Sequence, residues 1–164
     1  MAGESKVAED RPAPFVRRLT LRDPATRNAL DLAMRAELGA ALDAAAADEE
    51  CRVVILTGDG STFASGTDVR LIAESDAAAM DRPEVRDIWR TLGAFPKPVV
   101  IALNGHAFGG GFELALHGDI LIAAHGLKVG CPEPKLGLMP GAGATQRLTR
   151  AIGPYRAMRM MLTG

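Results

Sequence analysis

Glu113 lies three residues beyond Gly110 in Gly109-Gly110-Gly111-Phe112-Glu113-Leu114-Ala115-Leu116. On a helix beginning at about Gly110, that spacing sets its carboxylate on the same face as the Gly110 amide. The first amides of a helix have no partner within it, and the positive end of the helix dipole adds to them. Such a terminus suits an anion, or a carbonyl oxygen gathering negative charge. A second carboxylate stands in Val129-Gly130-Cys131-Pro132-Glu133-Pro134, where the flanking prolines hold Glu133 out of a regular helix. Two acids beside an amide-lined anion site point to proton transfer on a carbonyl compound. Taken singly, a glycine triplet is an ordinary turn and a helical glutamate an ordinary solvated residue. Glu113, however, sits among Phe112, Leu114, Ala115 and Leu116, and a carboxylate in an apolar block is rare without a partner or a purpose.

The glycines need a strand before them and a helix after them. Pro98-Val99-Val100-Ile101-Ala102-Leu103 is an apolar, β-branched run of strand length, and Asn104-Gly105 turns the chain. Upstream, alternation predicts a strand from Phe15 to Leu21, with Phe15, Leu19 and Leu21 on one face. Asp31 caps a helix that ends near Asp48. Met34, Leu38, Leu42 and Ala45 recur on its inner face, and Arg35, Glu37 and Asp43 face elsewhere. Val53-Val54-Ile55-Leu56-Thr57 reads as a strand buried on both faces, so strand, helix and strand imply a parallel crossover.

Asp76 to Arg82 reads as a mobile connection, and Pro83 opens a helix that turns Val85, Ile88, Trp89 and Leu92 inward, with Trp89 assigned to the core. Strands are expected at Asp119 to Ala124 and Leu127 to Val129, and helices from Ala144 to Ile152 and from Pro154 to Gly164. Gly141-Ala142-Gly143-Ala144-Thr145-Gln146 has Gln146 where a dinucleotide loop has its third glycine, and no strand directly precedes it. A nucleotide site is therefore rejected. Residues 1–14 are polar, with two prolines, and read as a mobile tail; residues 15–164 read as one domain.

A net charge of −1 from 19 basic and 20 acidic residues gives no general attraction to nucleic acid or anionic membrane. No apolar run approaches the roughly 20 residues that cross a bilayer. Glu4, Glu9 and Asp10, with no apolar block beside them, argue against a signal or transit peptide. Cys51 and Cys131 fit neither a zinc site nor a redox pair, which favours a reduced, cytoplasmic setting, and His106, His117 and His125 show no metal-ligand spacing. No Gly-x-Ser-x-Gly elbow supports a serine hydrolase.

The stretch from Lys97 to Leu116, with Cys131-Pro132-Glu133 and Pro140-Gly141-Ala142-Gly143-Ala144-Thr145-Gln146-Arg147-Leu148, resembles the signature of the crotonase (enoyl-CoA hydratase/isomerase) family. Phe63-Ala64-Ser65-Gly66-Thr67-Asp68-Val69 resembles its second signature, where the family normally has Ala at the Thr67 position. The resemblance implies an α/β fold, a ββα spiral core with parallel crossovers. It implies an oxyanion hole from the Thr67 and Gly110 amides, and catalysis by Glu113 and Glu133, with Glu133 the main acid–base group. Arg27 and Ala29, with the loop of Ala64, Gly66 and Asp68, would hold coenzyme A. Arg27 read alone is equally a solvated charge, and Asp68 equally a helix cap.

The implied activity is hydration of an enoyl-CoA thioester in fatty acid metabolism, with no cofactor beyond the coenzyme A of the substrate. Retention of both glutamates favours hydratase over double-bond isomerase. A catalytically inactive module that binds an acyl-CoA or a partner is the reading from another class. The family's further helical region, which covers the acyl pocket and contributes to trimer assembly, has no counterpart in these residues. A homo-oligomer, trimer or dimer of trimers, is expected if that region is supplied. Thr67, whose side chain is expected to crowd the acyl group, and Phe112 depart from the family pattern.

Overall fold

The computed structural model describes residues 4–74 and 76–164. β1 (Val7–Ala13) and β2 (Val16–Leu21) form an antiparallel hairpin, with Val7 opposite Leu21 and Glu9 opposite Leu19. α1 (Leu32–Ala47) crosses over, and β3 (Val53–Gly58) returns parallel to β2. Asp31 caps α1 by accepting from the Met34 amide, and Met34, Leu38, Leu42 and Ala45 are buried as their spacing predicts.

From β3 onward each lap of the chain lays one strand in each of two sheets and then adds helix. The first lap is β3, β4 (Thr62–Ala64) and the helices α2 (Val69–Ala73), α3 (Ala77–Met80) and α4 (Pro83–Gly93). β5 (Val99–Leu103), β6 (His106–Phe108) and α5 (Gly110–Ala115) make the second. β7 (Ile120–Ala123), β8 (Val129–Gly130) and a 3-10 turn at Glu133–Leu136 make the third. The larger sheet runs β1-β2-β3-β5-β7 and the smaller β4-β6-β8, and every pairing after the hairpin is parallel. This is the α/β ββα spiral with parallel crossovers. α6 (Ala144–Ile152) and α7 (Pro154–Thr163) follow.

Leu19, Leu21, Val54, Leu56, Ile101 and Phe63 are fully buried. Each large apolar side chain so placed contributes about 1.5–3 kcal/mol. β3 is buried through Val54, Leu56 and Gly58, while Val53, Ile55 and Thr57 are half-buried, so it is covered on one face more than the other, not equally on both.

Three further expectations are corrected. Residues 7–13 are a strand, not part of a mobile tail; residues 1–3 lie outside the described residues. The polar composition misled because charges suit an edge strand. Arg17 pairs with Glu9 and Arg18 with Asp10 across the hairpin, and Glu37 accepts from the Lys6 and Val7 amides. Phe15 does not share the face of Leu19 and Leu21: it takes φ 64° in the hairpin turn and is 44% exposed, with Arg52 over its ring. Within the connection at 76–82, α3 forms because the Asp76 side chain accepts from the Ala79 amide.

Candidate active site

Parallel pairing of β6 with β8 sets Phe108 opposite Gly130 and carries the Glu133 turn to the start of α5. Gly109, the residue before α5, donates to the Gly130 carbonyl at 2.9 Å and takes φ 50°, ψ −128°. A side chain there is excluded twice, by that backbone and by Glu133 Oε1, which lies 3.0 Å from where a Cβ would stand.

β6 also pairs with β4, setting Ala107 opposite Ala64, and this brings Thr67 to Gly110. Thr67 Oγ1 and the Thr67 amide nitrogen lie 2.9 and 3.3 Å from the position of a Gly110 Cβ. Among the described residues neither the Thr67 nor the Gly110 amide has an acceptor. Two main-chain donors therefore stand close together at a helix N-terminus, an arrangement suited to an oxygen that becomes negative.

Glu113 is buried, at 3% exposure. Its Oε1 accepts from the amides of Ala142 at 2.8 Å and Ala144 at 3.0 Å. Burial raises its pKa, and the amides of Ala144, Ala142, Gly141 and Gly143 oppose that rise. The glycine-rich stretch rejected above as a nucleotide loop is thus the cradle of this carboxylate, at the N-terminus of α6. The sequence signal was the loop itself, an anion-binding turn before a helix; its occupant is the chain's own glutamate.

Glu133 is held differently. Its Oε2 is buried with no hydrogen-bond partner among the described residues. Burial raises its pKa, its own amide opposes the rise, and the Glu113 charge adds to it. The same surroundings push the Cys131 thiol up to about 12, through burial and then the charges of Glu133 and Glu113. The two carboxylates thus feel each other across one site, Glu113 with amide donors that favour its anion and Glu133 with an oxygen free to carry a proton.

Arg35, expected to face away from the core, turns inward beside Thr67. It is 4% exposed; its Nε donates to the Leu30 carbonyl at 2.9 Å, its Nη1 to the Val85 carbonyl, and its Nη2 to Thr67 Oγ1 at 2.9 Å. Its guanidinium stands over Trp89, 5.5 Å from the ring centroid. Trp89 is half-buried against the core, and with Thr67, Met80, Glu113, Leu138 and Met139 it also lines a cavity of about 270 Å³. The signal for the inward turn of Arg35 was there in the spacing: it stands at i, i+3 and i+7 with the buried Leu38 and Leu42.

The remaining expected site residues gather on the other side of Thr67. Ala29 bridges Gly66 in parallel, and the Ser65 amide donates to the Arg27 carbonyl at 3.1 Å. Arg27 is exposed with φ 57°. Ala64 is fully buried, and Asp68 caps α2 through the Arg70 amide and pairs with the Arg70 side chain. Asn28, between Arg27 and Ala29, is the fully buried anchor of this region. Its amide group donates to the Thr62 and Phe63 carbonyls, and its oxygen accepts from the Asp23 amide.

Residues 14–164 match the family model for enoyl-CoA hydratase/isomerase. The chain belongs to that family. It is 45% identical over 146 residues to a 2,3-dehydroadipyl-CoA hydratase of Escherichia coli (strain K12), covering 89% of this chain and 57% of the relative. It is 40% identical, with the same coverage, to a probable enoyl-CoA hydratase, echA8, of Mycobacterium bovis. Among solved structures, enoyl-CoA hydratase subunit I of Geobacillus kaustophilus HTA426 superposes with a TM-score of 0.91 at 42% identity, over 97% of this chain and 62% of that one. The family member described here thus spans less than two thirds of the length of these relatives.

Proposed function

We propose that this crotonase-family chain carries the site of an enoyl-CoA hydratase, adding water across the 2,3 double bond of an enoyl-CoA thioester. The observation that supports this most is the meeting of two carboxylates of unlike surroundings, Glu113 and Glu133, at a helix N-terminus beside two amides unpaired among the described residues. In this reading the Thr67 and Gly110 amides take the thioester oxygen as negative charge moves onto it. Each such donor supplies about 3 kcal/mol. Glu113, its Oε1 fixed by the Ala142 and Ala144 amides, holds the water. Glu133 takes the water's proton and returns one to the α-carbon, and acid–base help of this kind is worth roughly 10²–10⁴-fold. Arg27 and Ala29, with Ala64, Gly66 and Asp68, form the coenzyme A side, and the cavity beside Trp89 takes the acyl chain.

Arg86 lines that cavity with otherwise largely apolar residues. A dicarboxylic acyl chain, as in the name of the Escherichia coli relative, would bring a far carboxylate to this cation. A homo-oligomer and a cytoplasmic setting belong to the same reading; both cysteines are free and buried, and no helix of the described residues is long and apolar enough to cross a membrane. The test is loss of the conjugated enoyl absorbance of crotonyl-CoA and 2,3-dehydroadipyl-CoA, run beside light scattering for oligomeric state. Turnover supports the hydratase; binding without turnover supports an acyl-CoA-binding module, and double-bond migration without water addition an isomerase.

A further inference from the structure

The oxyanion site just proposed uses only main-chain donors, yet a hydroxyl stands beside them. Thr67 Oγ1 lies next to Gly110, and Thr67 lines the cavity that Glu113 also lines. A hydroxyl has one proton to give and lone pairs to receive with, whereas a guanidinium only donates. Arg35 Nη2, 2.9 Å away, therefore makes Thr67 Oγ1 the acceptor of their hydrogen bond. The hydroxyl proton is left to point elsewhere, and among the described residues no acceptor takes it.

Arg35 cannot readily turn away to release this constraint. Two carbonyls, Leu30 and Val85, hold its other nitrogens, Trp89 lies against its face, and almost none of it reaches solvent. Burial lowers its pKa to about 10, which leaves it charged at neutral pH. A buried cation that donates to a hydroxyl also polarises it and strengthens what the hydroxyl donates in turn.

Resting on the enoyl-CoA reading, we propose that Thr67 contributes through its side chain as well as its amide: its hydroxyl, oriented by Arg35, is a third hydrogen-bond donor to the thioester oxygen, and Arg35 is its positioning residue. Both groups of Thr67 face the same gap at Gly110, so an oxygen held by the amides lies within reach of the hydroxyl. The bond to this oxygen shortens and strengthens as its charge grows, so the effect belongs to kcat more than to binding.

The test compares Thr67→Val, which keeps the shape and removes the hydroxyl, with Thr67→Ser, which keeps the hydroxyl and removes the methyl. Two readouts are needed: crotonyl-CoA hydration split into kcat and KM, and the absorption red shift of bound cinnamoyl-CoA, which reports polarisation of the thioester carbonyl. Thr67→Val is expected to lower kcat about 10²-fold, with KM within about twofold, and to shrink the red shift. Thr67→Ser is expected to keep both, and Arg35→Met, checked for fold by circular dichroism, to shrink the red shift as Thr67→Val does. Unchanged kcat and red shift in Thr67→Val, or an equal loss in Thr67→Ser, overturns the donor role while leaving the hydratase in place. A wild type that neither hydrates crotonyl-CoA nor shifts the chromophore overturns both.

Discussion

Glu113 Oε1 accepts the Ala144 amide at 3.0 Å, which ties α5 to the N-terminus of α6 and fixes a buried carboxylate 31 residues away in sequence. The Ala142 amide joins it at 2.8 Å. An oxygen held by two main-chain donors favours its charged form and a single rotamer, both useful for a group that holds a water.

Removing that oxygen should destabilise the fold as well as the site. Glu113→Ala strands the Ala142 and Ala144 amides in a buried setting, and leaving such donors unpaired costs about 1–3 kcal/mol each. Glu113→Gln retains a carbonyl oxygen to accept them and is expected to lose clearly less. Urea unfolding of the two variants checks this, and equal losses would mean that the cradle adds nothing to stability.

Glu133 predicts the opposite sign. Its pKa is raised, chiefly by burial and further by Glu113, so from pH 4.5 up through that raised value the folded protein keeps a proton the unfolded chain has lost. Stability falls across that interval as pH increases. Glu133→Gln removes this dependence: the variant should melt above wild type at neutral pH, and the gap should close below pH 4.5. Thermal melts across that range decide it; a gap independent of pH would contradict the raised value.

Arg86, on the cavity wall and paired with Asp81 at 2.8 Å, should set acyl preference rather than rate. Arg86→Ala is expected to raise KM for 2,3-dehydroadipyl-CoA about fivefold and to leave crotonyl-CoA nearly unchanged, since one exposed charge contact is worth at most about 1 kcal/mol. Steady-state kinetics on both substrates measure the difference.

Much of this was legible from local rules. The cap at Asp31, the buried stripe of α1, the strand-to-glycine turn before Gly110 and the start of α6 at Ala144 all follow from short-range patterns, and the structure has them in place. What escaped were relations made by the laps of the spiral. Nothing near Glu113 in sequence says that the amides beyond Gly141 will reach it, because the contact exists only once the third lap has turned back over α5. Arg35 was assigned outward because charge normally faces solvent; carbonyls supplied by Leu30 and Val85 make its burial tolerable. Residues 7–13 were read as a tail because a charged edge strand lacks the apolar alternation that betrays an inner one.

The most direct measurement is the rate of crotonyl-CoA hydration by Glu133→Gln beside wild type, with circular dichroism on both. A carboxyl that carries the proton to the α-carbon predicts a loss in kcat of at least about 100-fold with the fold intact. Turnover at the wild-type rate in the folded variant would contradict the account.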